Sequence, residues 1–216
     1  MKSLAHLSTR AWLWITLGVS ILVRLVLFFT YPPAHFSDTN AYRGIAETVF
    51  TEWVAYSYIR TPGYPIFLAL LGPDRAVYAA QLILGAAATL LLFYIGWRVS
   101  RKAWFGALAG LAHTLNLGQL FFEANILSES LTTFLVVLLT AGMAWLLYAS
   151  PRLSVWRILS MGFLLGLTGG VLTLTRPQYI FLPFWAAFLL VAVWRGRPGG
   201  VRWGTALLLG LTMATA

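Results

Sequence analysis

The sequence predicts an all-α fold, a polytopic membrane helix bundle of about seven transmembrane helices with surface (juxtamembrane) helices in one external loop. Three observations carry the prediction. Hydrophobic residues fill 60% of the 216 positions and charged residues only 10%, with a mean hydropathy of +0.80, whereas a soluble domain has about a quarter of its residues charged. The apolar residues fall in runs near the roughly 20 residues that carry a helix across a bilayer. The fifteen Lys and Arg residues sit in short groups between those runs, as loop charges of a membrane protein do, and not along one amphipathic face. The net charge of +9 therefore does not point to nucleic acid. The absence of cysteine excludes disulfides, thiolate metal sites and cysteine nucleophiles.

The first run, 11–31, follows Lys2 and Arg10. It is longer than a signal-peptide core and no A-x-A site follows it, so it reads as an uncleaved first helix. Further spans are predicted over 76–98, 103–121, 127–148, 157–175, 178–194 and 203–216. The last run stops at TMATA without a flanking charge, which reads as a chain cut within or just after its seventh helix. Residues 1–216 then form a single module, truncated at its C-terminus, with a first external loop over 32–75. Ten basic residues (Lys2, Arg10, Arg98, Arg101, Lys102, Arg152, Arg157, Arg195, Arg197 and Arg202) lie at one end of the alternating spans. The positive-inside bias makes that end and the N-terminus cytoplasmic. All six acids, Asp38, Glu47, Glu52, Asp74, Glu123 and Glu129, then fall on the external side, and chemistry is expected there. Tryptophans near the helix ends, such as Trp97, Trp104, Trp145 and Trp156, read as an interfacial belt.

The first external loop carries most of the candidates. Tyr42, Ile45, Ala46, Val49 and Phe50 recur at helical spacing, while Arg43 and Glu47 form an i,i+4 pair off that face. This predicts a helix lying flat on the membrane surface, its apolar side in the interface, with Ser37 and Asp38 at its start. Asp38 is either an ordinary N-cap or a functional carboxylate. Pro62 and Pro65 block helix around Gly63 and fix a rigid turn. Arg60 precedes that turn and is a plausible phosphate contact, since its fork matches phosphate oxygens. A short helix from Ile66 leads to the next span. Glu129 falls in the first turn of the fourth span, where the helix dipole favours a carboxylate and Asn125 or Ser128 can cap. Arg176-Pro177 marks the external end of the fifth span, as a snorkelling arginine or as a cation for an anionic headgroup. Arg24, inside the first span, must face protein or snorkel outward. His113 and Asn116 read as a packed polar pair.

In order along the chain, these pieces are Arg24-Leu25, the D-x3-Y-x3-A segment of Asp38, Tyr42 and Ala46, the turn Arg60-Thr61-Pro62-Gly63-Tyr64-Pro65 with FLALL after it, and Leu127-Ser128-Glu129-Ser130-Leu131. The set resembles the membrane glycosyltransferases of the GT-C class that use a polyprenyl-phosphate sugar, such as protein O-mannosyltransferases and the aminoarabinose transferase that modifies lipid A. The resemblance spans essentially the whole chain as an N-terminal module. It implies sugar transfer on the external (periplasmic or extracytoplasmic) face of the cell (inner) membrane, with inversion at the anomeric carbon. It implies that Asp38 is the catalytic carboxylate or a metal ligand, where Mg²⁺ or Mn²⁺ would suit carboxylates and water. Arg60, Arg176 and Arg24, with Glu129, Tyr42 and Tyr64, are the expected donor-phosphate and cavity residues. The implied partners are the bilayer, the polyprenyl-phosphate-linked sugar and a protein, lipid or glycan acceptor. Many relatives carry an acidic pair in the first loop, whereas Thr39 follows Asp38 here, so the carry-over reaches Asp38 alone. No C-terminal external domain follows, which leaves acceptor recognition missing or supplied elsewhere.

Two other classes fit the composition. A transporter would use Arg24 and His113 along a substrate path, although no repeat of two related halves is visible. A non-catalytic membrane subunit of the same fold is the third reading.

Overall fold

The computed structural model describes residues 7–51, 60–148 and 154–193. Among these residues the chain is all-helical, and the single β-bridge joins Ala34 to Asn125. Four helices are long and apolar enough to cross a membrane: α1 (Thr9–Thr30), α4 (Asp74–Ser100), α7 (Glu129–Leu147) and α8 (Val155–Thr175). Between them lie α2 (Ser37–Thr48), α3 (Gly63–Leu71), α5 (Ala103–Thr114) and α6 (Leu117–Ala124), and α9 (Leu182–Val193) follows a 3₁₀ turn at Pro177–Tyr179. The predicted seventh span, 203–216, lies outside the described residues.

The helix ends follow local chemistry. Ser8 caps α1, accepting from the Ala11 N–H at 3.2 Å, and Pro32-Pro33 stops the helix by forcing the preceding residue out of the helical region. Gly72, at φ 73°, ends α3 where a side chain would be strained. Pro73 then precedes Asp74, which opens α4. Arg176 is extended (φ −148°, ψ 108°) because Pro177 follows it, and that closes α8.

Five expectations change here. Pro65 does not stop α3 from forming. It sits at the third position of the helix, where its missing N–H would have had no intrahelical partner. The predicted span 103–121 is not one helix: α5 ends at Thr114, and Asn116 starts α6 by accepting the Gln119 N–H at 3.2 Å. His113 and Asn116 are therefore not a pair, and the His113 Nε2 is buried without a hydrogen-bond partner. The apolar face of α2 also does not rest on lipid. Tyr42, Ile45 and Val49 are buried in protein, and Tyr42 packs with Tyr64 and Leu68 of α3, while Phe50 stays exposed. Arg43 pairs with Asp74, not with Glu47, and His35 reaches the same carboxylate at 2.5 Å.

Helix α4 is the centre of the bundle, with α1, α5 and α7 packed around it and α8 beyond α7. One core joins Tyr64, Leu68, Val77, Ile126, Leu131, Leu135 and Leu172 beneath α2. Another, at the opposite end of α7 and α8, joins Leu139, Met143, Leu146, Ile158 and Leu165. The first core forms the floor on which the polar side chains of the next section stand.

Candidate functional site

At the end of the bundle where α7 begins and α8 stops, a polar cavity of about 430 Å³ opens. Asp38 and Tyr42 of α2, Arg60 and Thr61 before α3, Glu129 of α7, and Arg176 and Gln178 after α8 line it. Four stretches that are remote in sequence thus meet on one surface.

Each side chain is placed by its element. Asp38 is the second residue of α2, and no side chain caps that helix. The Phe36 N–H donates to the Thr39 hydroxyl at 2.9 Å, and that hydroxyl donates to the Ile126 carbonyl at 2.9 Å. Asp38 is therefore not consumed as a cap. Its Oδ1 accepts from the Arg60 guanidinium at 2.5 Å, and among the described residues its Oδ2 accepts from no side chain. The same guanidinium lies 5.1 Å from the centre of the Tyr42 ring, within cation–π range. The Thr61 hydroxyl donates to the Thr175 carbonyl at 3.0 Å and ties this strand of chain to the end of α8. Gly63 makes the approach possible: a Cβ there would fall 2.6 Å from the Leu174 and Thr175 backbone.

The opposite wall is built around Ser128. It stands at the N-cap position of α7 but makes no cap with its side chain. Its hydroxyl meets the Tyr42 hydroxyl at 3.3 Å and accepts from Arg176 Nε at 3.1 Å. Asn125, the other candidate cap, instead donates to the Phe121 carbonyl at 2.7 Å. Arg176 bonds the Glu129 carboxylate through Nη2, leaving Glu129 Oε2 buried without a partner, as is Arg60 Nε. The cavity thus carries two arginine–carboxylate pairs with unused donor and acceptor capacity on each wall. Such a surface can bind an anion at the guanidinium groups and take a proton at a carboxylate.

Two of the expected residues stand elsewhere. Tyr64 is fully buried under the cavity, its edge against the Tyr42 ring with centroids 5.0 Å apart. Its hydroxyl donates to Gln81 at 2.8 Å, and burial pushes the phenol above its ordinary pKa, so it stays a neutral donor. Gln81 passes the support on, its amide donating to the Glu123 and Asn125 carbonyls at 3.0 and 2.7 Å. Arg24 is nearly fully buried in the bundle and makes a two-pronged bond to Glu123 at 2.7 and 2.8 Å, with the Ser20 hydroxyl at 2.6 Å. Glu123 is wholly buried and not on an acidic outer surface; its carboxylate also accepts from Gln119 at 3.1 Å. Gly85 leaves room for it, since a Cβ would fall 2.1 Å from Oε1. Arg24 therefore joins α1 to α6 and lines no part of the polar cavity.

Sequence reasoning missed Glu123, Gln81 and the role of Ser128. The signal for the first was Arg24 itself, because a cation inside a span needs a counter-charge from a neighbouring span. As for a cation cofactor, Asp38 and Glu129 each already hold a guanidinium, and no three His, Asp or Glu side chains meet among the described residues. Asp38 and Glu129 are the cavity carboxylates that would hold a Mg²⁺ or Mn²⁺, with water and phosphate oxygens completing its shell. No protein-family model, curated protein or solved structure matches the chain.

Proposed function

We propose that the chain is a membrane glycosyltransferase that moves a sugar from a polyprenyl-phosphate donor to an acceptor on the external face of the cell (inner) membrane. In this reading the chain crosses the bilayer seven times with its N-terminus in the cytoplasm, and α2 and α3 belong to the external loop. The observation that supports it is the meeting of Asp38, Arg60, Glu129 and Arg176 on one cavity, at the end of the bundle opposite the basic Arg98–Lys102 turn. Glycosyl transfer from a lipid phosphate needs a base for the acceptor and a cation for the departing phosphate, and the cavity offers one of each on facing walls.

The acceptor hydroxyl or amine attacks the anomeric carbon and gives its proton to Asp38. The bond from that carbon to the phosphate oxygen breaks, and the electron pair leaves with the phosphate, whose charge Arg176 neutralises. A single displacement of this kind inverts the anomeric centre. Arg60, fixed by Asp38 and the Tyr42 ring, aims the carboxylate.

The test is sugar transfer in membranes supplied with a labelled polyprenyl-phosphate sugar. Replacing Asp38 with Asn is expected to lower transfer by about 10²-fold or more, the usual weight of a positioned base, with insertion unchanged. Transfer retained by that variant would remove Asp38 from the role. Solute uptake into proteoliposomes without any lipid donor would favour the transporter instead.

A further inference from the structure

The Arg176–Glu129 pair has a second face. A separate polar cavity of about 240 Å³ lies on its far side, walled by Asn116 and Gln119 at the start of α6, Phe122, Thr133 of α7 and Tyr179. The two cavities share only Glu129 and Arg176 among their described lining residues.

Their chemistries differ. The Asp38 cavity brings two further charged groups of its own, Asp38 and Arg60, whereas the second brings none: every polar side chain beyond the shared pair is an amide or a hydroxyl. Several of these have capacity to spare. Asn116 uses Oδ1 to cap α6 and Gln119 uses Nε2 on Glu123. The Asn116 amide N–H groups, Gln119 Oε1, and the hydroxyls of Thr133 and Tyr179 have no hydrogen-bond partner among the described residues. Glu129 Oε2 is buried and unpartnered at the junction. Phe122 and the Tyr179 ring supply apolar surface.

Beyond the shared pair this cavity offers a phosphate no cation, whereas the first adds Arg60. A neutral, hydroxyl-rich ring fits better: each hydroxyl is both donor and acceptor, and its C–H faces suit aromatic walls in a site otherwise made of a few placed polar groups. We propose that this second cavity is the sugar subsite and that it takes the uncharged ring of the donor. The inference rests on the glycosyltransferase reading and deepens it. The displacement runs across the first cavity, from Asp38 towards Arg176, and the ring hangs to the side of that line, past Glu129. The Arg176–Glu129 pair then sits at the anomeric carbon, between the charged and the neutral halves of one substrate.

The experiment compares binding of bare polyprenyl phosphate with binding of the same lipid carrying a neutral hexose, on the purified full chain in lipid nanodiscs. The variant is Thr133→Val with Tyr179→Phe, which deletes two hydroxyls and little volume. The wild type is expected to prefer the sugar-bearing lipid by about ten-fold or more, the weight of one or two net hydrogen bonds. The double variant should lose that preference while binding bare polyprenyl phosphate as tightly as before, which also shows that it is folded. A preference retained by the variant overturns the subsite, as does a parallel loss for both lipids. A wild type that binds both lipids equally overturns it too, yet leaves the lipid-phosphate reading standing. A wild type that binds neither lipid overturns the glycosyltransferase reading itself.

Discussion

Arg24 lies inside α1 and Glu123 inside α6, and among the described residues each is the other's only counter-charge. Taking either out of a polar medium is costly, and a buried pair recovers that cost only while both partners remain. Replacing Arg24 with Leu should destabilise the bundle by about 3–5 kcal/mol, the usual loss when one partner of a buried pair is left uncompensated. Adding Glu123→Leu should return most of that loss. Tryptophan fluorescence during unfolding in detergent measures both, and a double variant no more stable than the single ones would show that the pair is not coupled. This pairing also explains why Arg24 was misread as a phosphate contact. Hydropathy registers the cost of a charge inside a span but carries no information about the partner, which lies 99 residues away. For Asp38 the sequence left two roles open, a cap and a functional carboxylate. Its competing role as a helix cap failed for a local reason, because α2 begins one residue earlier and the Thr39 hydroxyl serves the Phe36 N–H instead.

Among the elements, the approach of α3 to α8 sets the shape of the cavity. Gly63 touches the α8 backbone, and Arg60 and Thr61 are the residues just before it. Gly63→Ala adds one methyl group where nothing flexible can move aside, so α3 should shift and carry Arg60 with it. Sugar transfer is expected to fall by about 10²-fold, the effect of roughly 1 Å of misplacement near a reacting centre, with Asp38 still present. Normal transfer by Gly63→Ala would mean that α3 does not hold the cavity. The sequence showed the special character of this segment through its two prolines, but not that Pro65 would sit inside the helix. It concealed the break between α5 and α6 for a different reason. The run from 103 to 121 is mostly apolar, and its polar residues His113, Asn116 and Gln119 did not by themselves reveal that Asn116 caps a second helix. The second cavity owes its Asn116 and Gln119 wall to that break, and it was invisible for the same reason.

For the whole molecule, the helical bundle and its four helices long and apolar enough to cross a membrane were legible in the apolar runs. In the proposed topology the starts of α2 and α7 and the end of α8 lie on one face of the membrane. The topology itself can be checked directly, because the chain has no cysteine. In intact cells a membrane-impermeant thiol reagent should label Asn40→Cys but not Lys102→Cys, both positions being exposed; inverted vesicles should reverse the pattern. Labelling of both from one side would remove the proposed orientation. The break between α5 and α6 also bears on how such a chain is made. Helices α5 and α6 have 12 and 8 residues, each below the roughly 17 that insert on their own. Arg24 leaves the ribosome long before Glu123 exists, and an arginine inside a span costs up to about 3 kcal/mol to insert. The buried pair with Glu123 thus becomes available to α1 only after α6 has been synthesised.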